Sequence, residues 1–167
     1  MADKYIALLN GVDQEVEGTV AGGTAAQAGK IVATDGTGRL DPSIMPVGVM
    51  ADTYSGTAAE ALSAGAYVYI KSDGQVANAS GASGGNPCIG FVLAAVTTGA
   101  SALVYFEGRN TALTGLTVGA RYYLSDTTPG GATATPVVGA GKLHQYLGRA
   151  ISTTTLSFEA DDHIVRA

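Results

Sequence analysis

The chain of 167 residues reads as a mainly β protein: two tandem, similar antiparallel β units, packed as a barrel or sandwich and preceded by an N-terminal arm. Three observations predict this. The nonapeptide LSAGAYVYI at 62–70 returns as LTVGARYYL at 116–124, matching Leu62 with Leu116, Gly65 with Gly119, Ala66 with Ala120, Tyr69 with Tyr123 and Ile70 with Leu124. Downstream landmarks repeat in the same order, Ile89-Gly90 with Leu147-Gly148 and Phe106-Glu107 with Phe158-Glu159. Each copy alternates with period 2 and ends in turn chemistry, Ser72-Asp73-Gly74 in one and 125–130 in the other. Ordered self-similarity marks one supersecondary unit used twice, or two similar hairpin systems; the alternative is chance recurrence of short β patterns in a Gly/Ala/Thr-rich chain. The expected division is an arm or collar over residues 1–46 and a body over 47–167, its units at about 47–110 and 111–167.

Composition narrows the function. Charged residues make up only 14% and there are 24 glycines and no tryptophan, so Ala and Val rather than large side chains carry the apolar share. Such a chain builds thin β layers, and small units of that kind need each other or a partner subunit. The net charge of −5 and the lack of any Lys/Arg cluster argue against a nucleic-acid partner. The single cysteine, Cys88, lies in an apolar run and reads as a small buried hydrophobe. The start of the chain is polar and mixed, unlike a secretory signal, and synthesis in a cytoplasm is the simplest expectation. Residues 87–106 are apolar, but Thr97, Thr98 and Gly99 interrupt them, predicting two strands rather than a membrane span.

In chain order, Tyr5-Ile6-Ala7-Leu8-Leu9 is followed by Asn10-Gly11, a hairpin signal. The return run, with Asp13, Glu15 and Glu17, suits only an exposed edge strand. Thr24 and Gln27 form a weak capping box for at most one helical turn. Residues 30–33 read as a short strand and 34–38 as a turn. Asp41-Pro42 starts a helical turn that Pro46 stops. After the strand-like stretch 47–51 comes the repeated body. Residues 91–96 are apolar on both faces and predict a central strand. Residues 80–85 read as a flexible hairpin tip, and 130–141 as a long loop. No helix longer than about two turns is expected.

No catalytic, cofactor or metal site emerges. His144 reads as a surface or edge imidazole at the head of a strand. Asp161-Asp162-His163 resembles a metal cluster in miniature, but no second ligand group completes it. No serine sits in a nucleophile elbow. Glu107 and Glu159 occupy equivalent places, so each ends its own strand rather than forming an acid/base pair. A small hydrolase is therefore disfavoured.

Residues 29–48, GKIVATDGTGRLDPSIMPVG, resemble a segment of tailed-bacteriophage virion proteins, found in tail-fibre modules and in capsid decoration proteins. The body is similar to proteins of the same group through Glu60-Ala61-Leu62, 90–96, Val104-Tyr105-Phe106-Glu107-Gly108 and 115–124. The resemblance covers most of the chain beyond residue 29, and its motifs are turn and strand patterns that carry architecture rather than chemistry. It implies a decoration (cement) or head-fibre protein: a homotrimer on the outer surface of a phage head, with the major capsid protein as partner, made in the host cytoplasm. The alternative it leaves is a short head- or tail-fibre protein that adsorbs to host surface glycans.

The arm supplies the expected contacts. Tyr5, Ile6, Leu8 and Leu9, with Ile31, Val32, Ile44 and Met45, form three apolar patches beside a Gly-rich linker. Contiguous exposed apolar residues mark interaction sites, so these eight are the candidate capsid or subunit contacts. The competing expectation makes 5–9 the first strand of the body's own sheet.

Overall fold

A computed structural model describes residues 4–22, 30–45 and 52–167. The chain divides into two compact units, Met1–Met50 and Ala51–Ala167, a boundary four residues beyond the expected end of the arm. Strands and turns make up the described structure. Its one helical element is a single 3-10 turn at Pro42–Ile44.

In the N-terminal unit, β1 (Lys4–Leu9) and β2 (Val12–Glu17) form a two-stranded antiparallel ribbon. Asn10 and Gly11 join them with φ of 54° and 79°, the two left-handed positions a tight hairpin turn requires. The ribbon is a two-stranded sheet of its own, in which residues 5–9 pair with β2. The expected strand at 30–33 shrinks to one bridge, Thr19 to Val32 in parallel, with Thr19 N donating to Ile31 O and Ala33 N donating to Thr19 O. The following turn is built on Asp35, whose Oδ1 accepts from the Thr37 hydroxyl and from the amides of Thr37 and Arg39. These bonds, the Thr37 hydroxyl first, hold its pKa below the usual carboxylate range. Asp41 caps the 3-10 turn by accepting from Ser43 N at 2.9 Å. The expected helical turn at 24–27 and strand at 47–51 lie outside the described residues.

The body holds two five-stranded antiparallel sheets. The first contains β3 (Thr53–Thr57), β4 (Tyr67–Ile70), β5 (Val76–Asn78), β6 (Gly90–Val92) and β7 (Ser101–Tyr105), in the order β3-β7-β6-β4-β5. The second contains β8 (Gly108–Asn110), β9 (Arg121–Leu124), β10 (Ala132–Thr133), β12 (Tyr146–Ala150) and β13 (Leu156–Phe158), in the order β8-β13-β12-β9-β10. A short pair, β11 (Leu143–His144) with β14 (Ile164–Val165), stands apart. Both large sheets place the first strand beside the last, then the fourth, second and third. The hydrogen bonds match in detail. Gly65 N donates to Val92 O and Val92 N to Ala66 O; Gly119 N donates to Ala150 O and Ala150 N to Ala120 O. The repeated segments 62–70 and 116–124 thus occupy equivalent places.

Alternation sorts the first sheet into two faces. Val68, Val76, Val92, Ala102 and Val104 line one buried cluster with Ala58, Leu62 and Ala66. A parallel bridge from Ala58 to Val76, with Ala59 N donating to Val76 O, links the β3 end of the sheet to β5 and wraps it around that cluster. The opposite face presents Tyr67 and Phe91, which join Leu116, Tyr122, Leu124, Leu156 and Phe158 of the second half in another cluster. Phe158 is the keystone: its ring lies 5.9 Å from Tyr67 and 5.3 Å, edge to face, from Phe91, spacings at which aromatic pairs attract. The second sheet therefore lies over the outer face of the first.

Several elements differ from expectation. The central strand at 91–96 is only Gly90–Val92, because the chain bends at Leu93 and Ala94, leaving Ala94 and Ala95 exposed, before Val96 bridges Leu62. The loop at 130–141 contains β10, paired with β9. Residues 80–85 are not a free tip: Gly85 N donates to Ala82 O within the turn, while Gly81 N donates to Ser125 O and Leu143 N to Gly81 O, tying it to the second half. In β12 the register slips between Tyr146 and Gly148, a bulge that accommodates buried Leu147. Gly148 is required there, since a Cβ would collide with the Ser157 carbonyl oxygen.

Candidate functional site

The structure separates the sequence-predicted contact residues into exposed and half-buried sets. On β1, Ile6 and Leu8 share one face and are 68% and 69% exposed. Directly across on β2 stand Glu15 and Asp13, with Glu17 opposite Lys4. The result is an apolar pair edged by three carboxylates. The Lys4–Glu15 ion pair at 3.2 Å is exposed and contributes little. The other ribbon face carries Tyr5, half-buried, whose hydroxyl accepts from Ile31 N at 3.4 Å. Leu9 pairs with Val12 through the backbone. Ile31 and Val32 are exposed, whereas Ile44 and Met45 are half-buried. The observed contact brings the patch at Tyr5 to the patch at Ile31. Ile44 ends the capped turn, whose Ser43 hydroxyl accepts from Gly22 N, and Met45 follows it.

The body carries two neighbouring clefts that share Glu159 and Asp161. The larger, of about 570 Å³, is lined by Glu107, Glu159, Asp161, Asp162 and His163 beside Phe106 and Phe158. Glu107 and Glu159 do each follow their own strand, yet both face this one space. Among the described residues no His, Cys, Asp or Glu group is arranged to hold a metal ion. Cys88 lies at the same cleft but is buried; burial pushes its thiol up to about 12, and the S–H donates to Gly90 O at 3.1 Å. A thiol so held is a packing group, not a nucleophile. Gln145 anchors the wall. Its Oε1 accepts from Cys88 N at 2.7 Å and its Nε2 donates to Cys88 O and Asp161 O. The side chain thus pairs with the Cys88 backbone as a neighbouring strand would.

The second cleft, of about 420 Å³, lies on the outer face of the second sheet. Arg121 and Arg149 stand directly opposite each other on β9 and β12. Beside them are Tyr123, His144 and Tyr146, with ring centres 5.0 Å (Tyr123–His144) and 6.0 Å (Tyr123–Tyr146) apart. Glu159 and Asp161 complete the lining. Arg149 Nη1 donates to Gly119 O at 2.7 Å, which fixes one guanidinium at the strand end. His144, on the short β11–β14 pair, is half-buried and packed on Tyr123. The lining offers charged forks, flat rings and carboxylate acceptors. Alternation signalled that Arg121 and Tyr123 share a face. Their meeting with Arg149 and Tyr146 depends on the strand register and the β12 bulge, which have no local sequence signal.

No protein-family model matches the chain, and no curated protein matches it.

Proposed function

We propose that the chain is a structural virion protein that binds the outside of a bacteriophage capsid and stabilises it, without enzymatic activity. The observation that carries this reading is the N-terminal ribbon. A separate compact unit holds out Ile6 and Leu8 beside Asp13, Glu15 and Glu17. Exposed aliphatics edged by charge are the makings of a docking surface. The partner is the major capsid protein, and the working form is a homotrimer in which part of the apolar surface of residues 1–46 is covered by sister subunits. A cement protein works by bridging neighbouring capsomers against internal pressure. That role asks for rigid β layers and broad contact, of upwards of about 1,000 Å² in total.

Co-sedimentation with empty expanded heads tests the proposal. Saturable binding and raised heat resistance of the heads are expected, and Ile6→Asp with Leu8→Asp should abolish both while the body stays folded. Saturable binding to host cells with none to heads would replace this reading with that of a glycan-adsorbing fibre protein. Deleting residues 1–28 should weaken head binding or trimerisation, read by light scattering. A truncated trimer that binds heads at full strength would remove the N-terminal unit from the mechanism.

A further inference from the structure

We propose that the outer face of the second sheet is a binding site for an acidic saccharide, its carboxylate held between Arg121 and Arg149 and its ring laid against Tyr123, His144 and Tyr146. The starting observation is an unfavourable one. Like charges directly opposite on adjacent antiparallel strands repel, and Arg121 and Arg149 are such a pair. Neither forms an ion pair among the described residues, although Glu159 and Asp161 line the same cleft. At the equivalent register of the first sheet the pair is Tyr67 and Phe91, so the fold itself does not require arginines here. Two guanidiniums side by side offer planar forks of donors that match a carboxylate, and an anion between them turns repulsion into attraction.

The rest of the lining identifies the kind of anion. Glu159 and Asp161 repel a multiply charged phosphate but accept hydrogen bonds from hydroxyl groups. Tyr123, His144 and Tyr146 supply ring faces, whose negative surface suits the polarised C–H face of a sugar. A volume of about 420 Å³ lies in the range of small-molecule sites. A single carboxylate, several hydroxyls and a C–H face together describe a uronic or sialic acid residue. The site lies wholly within the body and does not depend on head binding by the N-terminal unit.

The test is calorimetric titration of the isolated full-length protein with oligogalacturonate, a glucuronic-acid oligosaccharide and a sialylated oligosaccharide. The methyl ester of the oligogalacturonate and inorganic phosphate serve as controls. Saturable binding to at least one acidic saccharide is expected, at least tenfold weaker for the neutral ester. Arg121→Gln and Arg149→Gln should each reduce affinity at least tenfold, and Tyr146→Leu should reduce it for the saccharide. Both arginines are exposed, so the variants remain folded, which circular dichroism checks. No saturable binding to any of the three saccharides overturns the proposal. Phosphate binding as tight as saccharide binding reduces the site to an anion site and overturns its saccharide identity. Affinity unchanged in both arginine variants places the binding elsewhere and overturns the assignment.

Discussion

In the first sheet the cross-strand pair Tyr67–Phe91 lies beneath the second sheet, and its neighbour Tyr105 stacks on Phe91 at 5.6 Å. At the same register in the second sheet stand Arg121, Arg149 and Ser157. The strand order and the hydrogen bonds around both trios are alike, yet one face is closed and the other open. Three side chains decide which sheet is the inner layer. Burying two opposed arginines would cost several kcal/mol per uncompensated charge, on the order of magnitude known for buried ions. Leaving Tyr67, Phe91 and Tyr105 uncovered would forfeit about 2 kcal/mol of burial for each large side chain. A shared topology thus acquires an inside and an outside from a handful of positions.

The sharpest way to break this asymmetry is at its aromatic side. Phe91→Ala removes a ring that is 1% exposed and touches both Tyr105 and Phe158, and should cost about 3–5 kcal/mol by denaturant unfolding. Gln145→Ala should cost about 1–3 kcal/mol, because the buried amide and carbonyl of Cys88 lose their partner; Gln145→Glu should restore only the acceptor half. Cys88, packed in the same cluster as Phe158, reports whether the layers are closed. Its thiol should resist a thiol-specific reagent in the folded protein and react on unfolding. Its folded pKa is raised from an ordinary 9.0 to about 12 by burial. The folded state therefore holds the proton through a range where the unfolded chain releases it. This contribution to stability is complete below pH 9 and is lost as pH rises toward 12; a Cys88→Ala variant should show a shallower decline there. Arg149→Ala, at the position equivalent to Phe91, should change stability by no more than about 0.5 kcal/mol. A loss comparable to that of Phe91→Ala would mean that the two faces are not alternatives at all.

The repeat, the alternation and the Asn10-Gly11 turn were legible because they are local: each is a spacing or a pair of residues with its own backbone preference. The mainly β class followed from them. Which copy covers the other was not legible, since Tyr67 and Arg121 differ by one residue within otherwise similar strands and both suit a pleat. The clefts were hidden for another reason. Arg121 and Arg149 meet only through strand register, and the bulge at Tyr146–Gly148 changes which side chains face out. Ser80–Gly85 looked like a free tip because glycine and serine carry no sign of the carbonyl-to-amide bonds that tie them across the sheets. The eight apolar candidates in residues 1–46 were visible by composition, but their sorting into exposed Ile6 and Leu8 and half-buried Tyr5 needed the pairing with β2.

Each large sheet is drawn from one uninterrupted stretch of chain, 53–105 and then 108–158. During synthesis, at about 5–20 residues per second, every strand of the first sheet is made before any strand of the second. Its valine-lined cluster can close at once, since none of those residues comes from the later half. Its Tyr67–Phe91 face must wait several seconds for Phe158 to arrive. In that interval the nascent chain presents a sticky aromatic surface, and nascent chains on neighbouring ribosomes of one message present the same surface to each other. The late half has no such independence, because its own apolar side is completed by residues already made. The early sheet is thus the template on which the later one settles, and a stall or truncation between residues 110 and 150 should leave a folded but aggregation-prone half.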